Sequence, residues 1–380
     1  MFKRIFIIIP LLLAGCATKT NNGAESNNPS KREAQIRVNG AEKIQINFDK
    51  ETYYVDDVVS FTAIPADDIE ITLVTVNYNT ISKSESGYSF VAKASNIINF
   101  STKPKTDHLK DLSVILLSGQ SNMEGNTNST GLITTENGFT TDEVTSVKAG
   151  YDGIKINYIS YYKGSPSNVN QSNGFVKTKL GQGNPFGSVR FGPEVGIAET
   201  LHKNNYDDKV VLIKCAVGAS YLAPEANEWM GEAPYYKQFT SLIDKSLSQL
   251  IEDGYNPKIK AFCWMQGEAD SANSAYISKY SSNLETFVQQ FRTRYASYQD
   301  DNGFGFIDGY ICTSSVLTHA AEINQQKQNY ADSHGRSVTI DTNAAGLKVG
   351  DPGGDKYHYN VYSEFKLGKL FGEEIINFIK

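Results

Sequence analysis

Two kinds of hydrophobic pattern divide the chain. Lys43-Ile44-Gln45-Ile46-Asn47-Phe48 alternates polar and apolar residues. So does Ile69-Glu70-Ile71-Thr72-Leu73, which runs on into Val74-Thr75-Val76. Val58 to Ala63, Tyr88 to Ala92 and Ile97 to Phe100 continue the alternation less strictly. A period of two puts successive side chains on opposite faces of a strand. Short runs of this kind are separated here by Asp, Asn, Ser, Gly and Pro, and no helical stretch interrupts them. They predict a small antiparallel sandwich over residues 35–104. Lys103-Pro104-Lys105-Thr106 reads as the linker that follows.

From about residue 108 the pattern changes. Leu112-Ser113-Val114-Ile115-Leu116-Leu117 is a nearly continuous apolar run, as in a strand buried on both faces. Similar runs recur at 210–213, 259–264, 305–311 and 337–340. Helical segments are expected between them, over 193–203 with Pro193 at the first helical position, and over 235–252, 272–295 and 320–331. A last helix is expected over 361–380. Strand and helix therefore alternate about five times, which predicts a parallel sheet with helices on both faces. In such sheets ligands gather at the carboxyl ends of the strands. The stretch from Asn126 to Arg190 is rich in Gly, Asn, Ser and Tyr. It reads as an elaborated insertion near the site, since loops of that length are usually functional or disordered.

The N-terminal end reads as a processing signal. Lys3 and Arg4 precede the apolar run Ile5 to Leu13, which is broken only by Pro10. That run is shorter than the ~20 residues a membrane-spanning helix needs, and it fits a secretory signal over 1–15. Leu13-Ala14-Gly15-Cys16 follows and resembles a bacterial lipobox, which implies cleavage before Cys16 and lipid attachment to it. Residues 16–34 hold no large apolar side chain and read as a disordered tether. The expected product is an exported cell-envelope lipoprotein facing outside the cytoplasm, touching the membrane only through its anchor.

The formal charge is −6. Removing the signal leaves 34 basic against 42 acidic residues, so scattered negative charge gives no electrostatic case for nucleic acid. Cys215, Cys263 and Cys312 each sit in an apolar run and read as buried free thiols. No Cys/His spacing suits a metal, and no cofactor is expected.

Gly119-Gln120-Ser121-Asn122-Met123-Glu124-Gly125 directly follows the first buried run. Ser121 is thereby placed at a strand's carboxyl end, in a glycine-flanked turn. A serine needs a base before it is a useful nucleophile. Of five histidines, His358 stands in Asp355-Lys356-Tyr357-His358, where acid and imidazole three apart on a turn can face one another. Asp107-His108 lies in the linker, His202 falls at a polar helix end, and His319 and His334 lack a well-spaced acid. The order Ser, Asp, His is also that of the α/β-hydrolases, on a different fold.

Four blocks together resemble the SGNH hydrolases, and within them the sialate O-acetylesterase and acetylxylan-esterase-like group. They are Gly119-Gln120-Ser121-Asn122-Met123, Cys215-Ala216-Val217-Gly218-Ala219-Ser220, Trp264-Met265-Gln266-Gly267-Glu268-Ala269-Asp270, and Asp355 to His358. The resemblance covers about residues 110–380. It implies a flavodoxin-like three-layer α/β/α esterase domain over 105–380. The sandwich before it resembles an immunoglobulin-like module, serving as a spacer or as a glycan binder.

The resemblance also implies roles. Ser121 attacks an acetyl ester on a carbohydrate such as sialic acid or a xylan-type glycan. His358 is base and then acid, and Asp355 orients it. The N–H groups of Ser121 and Gly218 and the amide of Gln266 form the oxyanion hole. Asn122 and Glu268 are candidate supports, and for Glu268 a catalytic and a purely structural role stay open. Ala219 and Ser220 stand where Gly-Thr is usual in the group, and Met265 stands where His is often found. Gly192-Pro193-Glu194 reads as a helix start. Two other readings are a lipid or peptidoglycan ester as substrate, and a glycan-binding lipoprotein without activity.

Overall fold

The structure is a computed structural model that describes residues 31–105, 109–186, 189–350 and 355–380. The signal, Cys16, His108 and the tether as far as residue 30 lie outside the described residues. The chain divides into two compact units between Lys103 and Pro104.

The first unit is all-β. Its strands are β1 (Gln35–Asn39), β2 (Ile44–Phe48), β3 (Val58–Pro65), β4 (Ile69–Val76), β5 (Asn79–Thr80), β6 (Tyr88–Val91) and β7 (Ser95–Pro104). They form two sheets, ordered β1-β7-β4-β5 and β2-β3-β6. The alternating apolar positions Val59, Phe61, Val74, Val76, Ile98 and Phe100 meet in one cluster with Tyr88, whose ring stacks on Phe61 at 5.3 Å between centroids.

Two expectations fail here. The pairing is not wholly antiparallel, because β1 runs parallel to β7 from Gln35↔Ser95 to Asn39↔Asn99. A first strand that pairs with a distant last strand needs no hairpin, so nothing forces it to be antiparallel. The tether also ends earlier than residue 34. Ala34 is buried and donates its N–H to Tyr53 O at 2.8 Å.

Among its described residues the second unit carries ten strands. They are β8 (Lys110–Gly119), β9 (Thr127–Asn128), β10 (Tyr151–Tyr162), β11 (Asn170–Gln171), β12 (Val176–Thr178), β13 (Arg190–Phe191), β14 (Val210–Gly218), β15 (Tyr255–Met265), β16 (Gly305–Gly309) and β17 (Ser337–Ile340). The helices are α1 (Ser121–Glu124), α2 (Thr141–Ala149), α3 (Glu194–Lys203), α4 (Pro234–Glu252), α5 (Glu268–Ser271), α6 (Ser274–Ile277), α7 (Tyr280–Arg294), α8 (Ala320–Ser333) and α9 (Val361–Ile379). The main sheet is ordered β11-β10-β14-β8-β15-β16-β17, with β12 also on β10. Strands β10, β14, β8, β15, β16 and β17 are mutually parallel, and only the short β11 and β12 run against them.

Every residue of β14 is buried, so both of its faces are covered. Helices α3 and α9 pack on one another, α9 also lies against β15 and β16, and α4 packs on β14 and β15. The inward positions of α4, Tyr236, Phe239, Ile243, Leu247 and Leu250, recur at three and four residues, the spacing that makes one helical stripe apolar.

The stretch read as an insertion is one only in part. Its residues 151–162 form β10, a full member of the sheet paired with β14 from Lys155↔Val211 to Tyr162↔Gly218. The many polar residues of β10 had hidden it. The helix expected over 272–295 is broken into α6 and α7.

Candidate active site

The register brings three strand ends together. Ala216 of β14 and Met265 of β15 both lie opposite Gly119 of β8. Two residues beyond Gly119 comes Ser121, two beyond Ala216 comes Gly218, and one beyond Met265 comes Gln266. Gly119 has φ +148°, and a β-carbon there would meet Met265 O at 2.0 Å. Only glycine allows so close a crossing.

After Gly119 the chain closes one helical turn. The N–H groups of Met123 and Glu124 donate to Gln120 O at 2.9 and 2.7 Å, and Gly125 ends the turn at φ +94°. Ser121 opens this turn, so no intrahelical carbonyl can take its N–H. Ser121 itself is 8% exposed. Gln120 Oε1 accepts from the N–H groups of Gly267 and Ala269, each at 3.2 Å, which ties the serine turn to the start of α5.

His358 and Asp355 are brought together. Asp355 Oδ2 lies 2.7 Å from His358 Nδ1, and Asp355 Oδ1 accepts from the N–H groups of Tyr357 and His358 at 2.8 and 3.1 Å. Burial alone would raise the Asp355 carboxyl. The bond to His358, the two N–H groups and the imidazole charge outweigh it and hold the carboxyl well below the usual range. In the neutral ring, a proton on Nδ1 directed at this carboxylate would leave the lone pair on Nε2, the arrangement a general base requires.

Asn122 fixes this loop to the serine turn. Its Nδ2 donates to Tyr357 O at 3.2 Å and to Glu268 Oε1 at 2.8 Å. Its Oδ1 accepts from Tyr359 N at 3.3 Å. Thr127 adds a bond from its hydroxyl to Tyr359 O at 2.8 Å. No hydrogen bond joins Ser121 Oγ to the imidazole among the described residues. Nε2 faces Asn126 Nδ2 at 3.3 Å instead, and Asn126 Oδ1 is held in turn by Arg190.

The expected oxyanion donors separate. Gly218 stands at the rim, ending β14. Ala219 follows at φ +61°, a left-handed conformation that glycine adopts freely and alanine only under strain. That is the position where the resembling group has glycine. Gln266, expected to aim its amide at the oxyanion, is corrected. It is fully buried, and its Nε2 is committed to Asp270 Oδ2 at 2.6 Å, Ser220 O at 2.9 Å and Gln120 Oε1 at 3.2 Å. Asp270 in turn accepts from the N–H groups of Leu222 and Ala223 at 2.9 and 3.0 Å. Gln266 thus braces the loop after Gly218 from behind.

Glu268 is buried, and burial raises its carboxyl. One oxygen meets Asn122, and the other has no partner. The remaining described histidines pair with acids too: His202 with Asp207 at 2.8 Å, His319 with Glu322 at 3.2 Å, and His334 with Glu285. An acid neighbour alone therefore does not single out His358; its place at the strand ends does. Of the tyrosines near the end of β10, Tyr158 and Tyr161 are buried, while Tyr162 is 41% exposed and lies beside Gly218.

A buried polar group was missed. Lys214 and Glu194 are both fully buried and paired at 2.7 Å. Lys214 also donates to Glu124 O at 3.0 Å and to Gln182 O at 3.3 Å. Glu194 Oε1 accepts from Gly192 N at 2.9 Å, so its role extends beyond starting α3. Glu124 Oε1 accepts from Asn184 Nδ2 at 2.5 Å. One signal was available: Lys214 interrupts an otherwise apolar strand, and a buried lysine needs a counter-charge.

Residues 111–377 match the family model described as a carbohydrate esterase, sialic acid-specific acetylesterase. No curated protein sequence matches. Among solved structures, a protein from Arabidopsis thaliana is 15% identical with a TM-score of 0.50, over 70% of this chain and 98% of its own. The structure titled NanS is 16% identical with a TM-score of 0.48, over 72% and 98%. Axe2, an acetylxylan esterase from Geobacillus stearothermophilus, is 13% identical with a TM-score of 0.31, over 60% and 96%.

Proposed function

Because the chain belongs to the carbohydrate esterase family of sialic acid-specific acetylesterases, we propose that it removes O-acetyl groups from glycans by a serine acyl-enzyme mechanism. Ser121 Oγ attacks the acetyl carbonyl and passes its proton to His358 Nε2. The Nδ1–H stays on the imidazole and is donated to Asp355, whose charge stabilises the imidazolium. The carbonyl oxygen gains negative charge between the N–H groups of Ser121 and Gly218, and donors so placed are each worth ~10²–10³ in rate. Collapse breaks the bond to the sugar oxygen, which takes the proton from His358. Water then attacks the acetyl-serine with His358 again as base, releasing acetate and restoring Ser121.

One observation carries this reading. Asn122, the residue after the serine, bonds both neighbours of the histidine, Tyr357 and Tyr359. The lipobox sequence supports export and anchoring through Cys16, and the size and position of residues 35–104 support an immunoglobulin-like spacer. The test is a panel of O-acetylated sialic acids and xylo-oligosaccharides with the products mapped. Acetate release from at least one class, without cleavage of long-chain acyl esters, is expected. Preference for long acyl chains would contradict the glycan reading.

A further inference from the structure

Glu124 is fully buried beside the oxyanion-side loop and has no place in the mechanism above. Its Oε1 is occupied by Asn184. Its Oε2 has no hydrogen-bond partner, and a β-carbon on residue 218 would lie only 2.3 Å from it. The unpartnered oxygen thus borders the Gly218 peptide from within. We propose that Glu124 is a positioning residue that works as the neutral acid, and that its ionisation switches the esterase off. This rests on the serine-esterase reading.

The reasoning is electrostatic. A carboxylate at this place would set a negative charge next to the peptide that must receive one in the transition state. It would also compete for any N–H of that loop that the oxyanion needs. In a buried, low-dielectric setting such an opposition is strong. The charged and titratable groups that act on Glu124 come from three elements. Lys214 of β14 and Arg190 of β13 favour its charge, while Tyr161 of β10 does not. Lys214 is already matched by Glu194. Burial outweighs the rest and raises the Glu124 carboxyl to about 8, so the acid is neutral at neutral pH and ionises just above it.

The experiment is the kcat–pH profile of the wild-type chain and of Glu124→Gln on a small acetate ester, from about pH 6 to 10. Glutamine keeps the shape and can still accept from Asn184. The wild type is expected to lose kcat about tenfold per pH unit above roughly pH 8, and E124Q to stay flat there. Asn184→Ala provides a second route, should E124Q not fold. Removing the Asn184 donor disfavours the charged form, so the wild-type limb should move to higher pH. A flat alkaline wild-type profile overturns the proposal. So does an unaltered limb in folded E124Q, or an unmoved one in N184A. Failure of Ser121→Ala to abolish activity is a different outcome, which defeats the esterase mechanism instead.

Discussion

Asn122 makes three hydrogen bonds, two that join the nucleophile turn to the histidine loop and one to Glu268. Asn122→Ala removes them and leaves Glu268 buried with neither oxygen bonded. An unsatisfied buried group costs about 1–3 kcal/mol. The variant should therefore melt lower and lose kcat more than it changes KM, because the imidazole is displaced while the binding surface stays. Asp355→Asn should keep the fold and lose ~10⁴ in kcat, the size of effect seen when a triad acid no longer sets the tautomer. Tyr162 offers its exposed ring beside Gly218. Tyr162→Ala should raise KM for sugar acetates by about two- to tenfold, the worth of a stacked contact of ~0.5–1.5 kcal/mol, and leave ethyl acetate hydrolysis unchanged. At this scale the sequence was most informative for Asp355 and His358, whose spacing of three fits one turn. It misled for Gln266, because spacing places an amide near a site but does not say which way it points.

Single elements explain what was legible and what was not. Strands β8, β14 and β15 announce themselves as apolar runs because both faces are covered. Strand β10 did not, because Asp152, Lys155, Asn157 and Ser160 break its run. Asn157 and Ser160 are buried yet satisfied, Asn157 by Ser246 at 2.9 Å and Ser160 by Gln182 O at 3.3 Å. A pattern reader sees their polarity and not their partners. Strand β14 holds the opposite case in Lys214. Lys214→Met strands the Glu194 charge in the interior, and breaking a buried pair on one side costs about 3–5 kcal/mol. Urea unfolding should show that loss, and K214M/E194Q should recover part of it, since the two positions are coupled.

Across the whole molecule, every residue assigned to the site lies after Pro104, within the second compact unit. The dependence of stability on pH also belongs at this scale. Between the ordinary carboxylate value of 4.5 and about 8, the folded chain keeps a proton on Glu124 that the unfolded chain has lost. Stability therefore declines as pH rises through that window. E124Q should gain melting temperature over the wild type at pH 8.5 relative to pH 5. Asp355, lowered in the fold, acts in the opposite sense. Its contribution is present above the ordinary value of 3.8 and is lost on acidification.

The most direct measurement incubates the protein with an O-acetylated sugar, quenches during turnover and locates acetyl groups on the chain by mass spectrometry while acetate release is followed. The account predicts a transient acetyl on the peptide containing Ser121, and neither acetyl nor release in a folded Ser121→Ala variant. Undiminished release by that variant would contradict it.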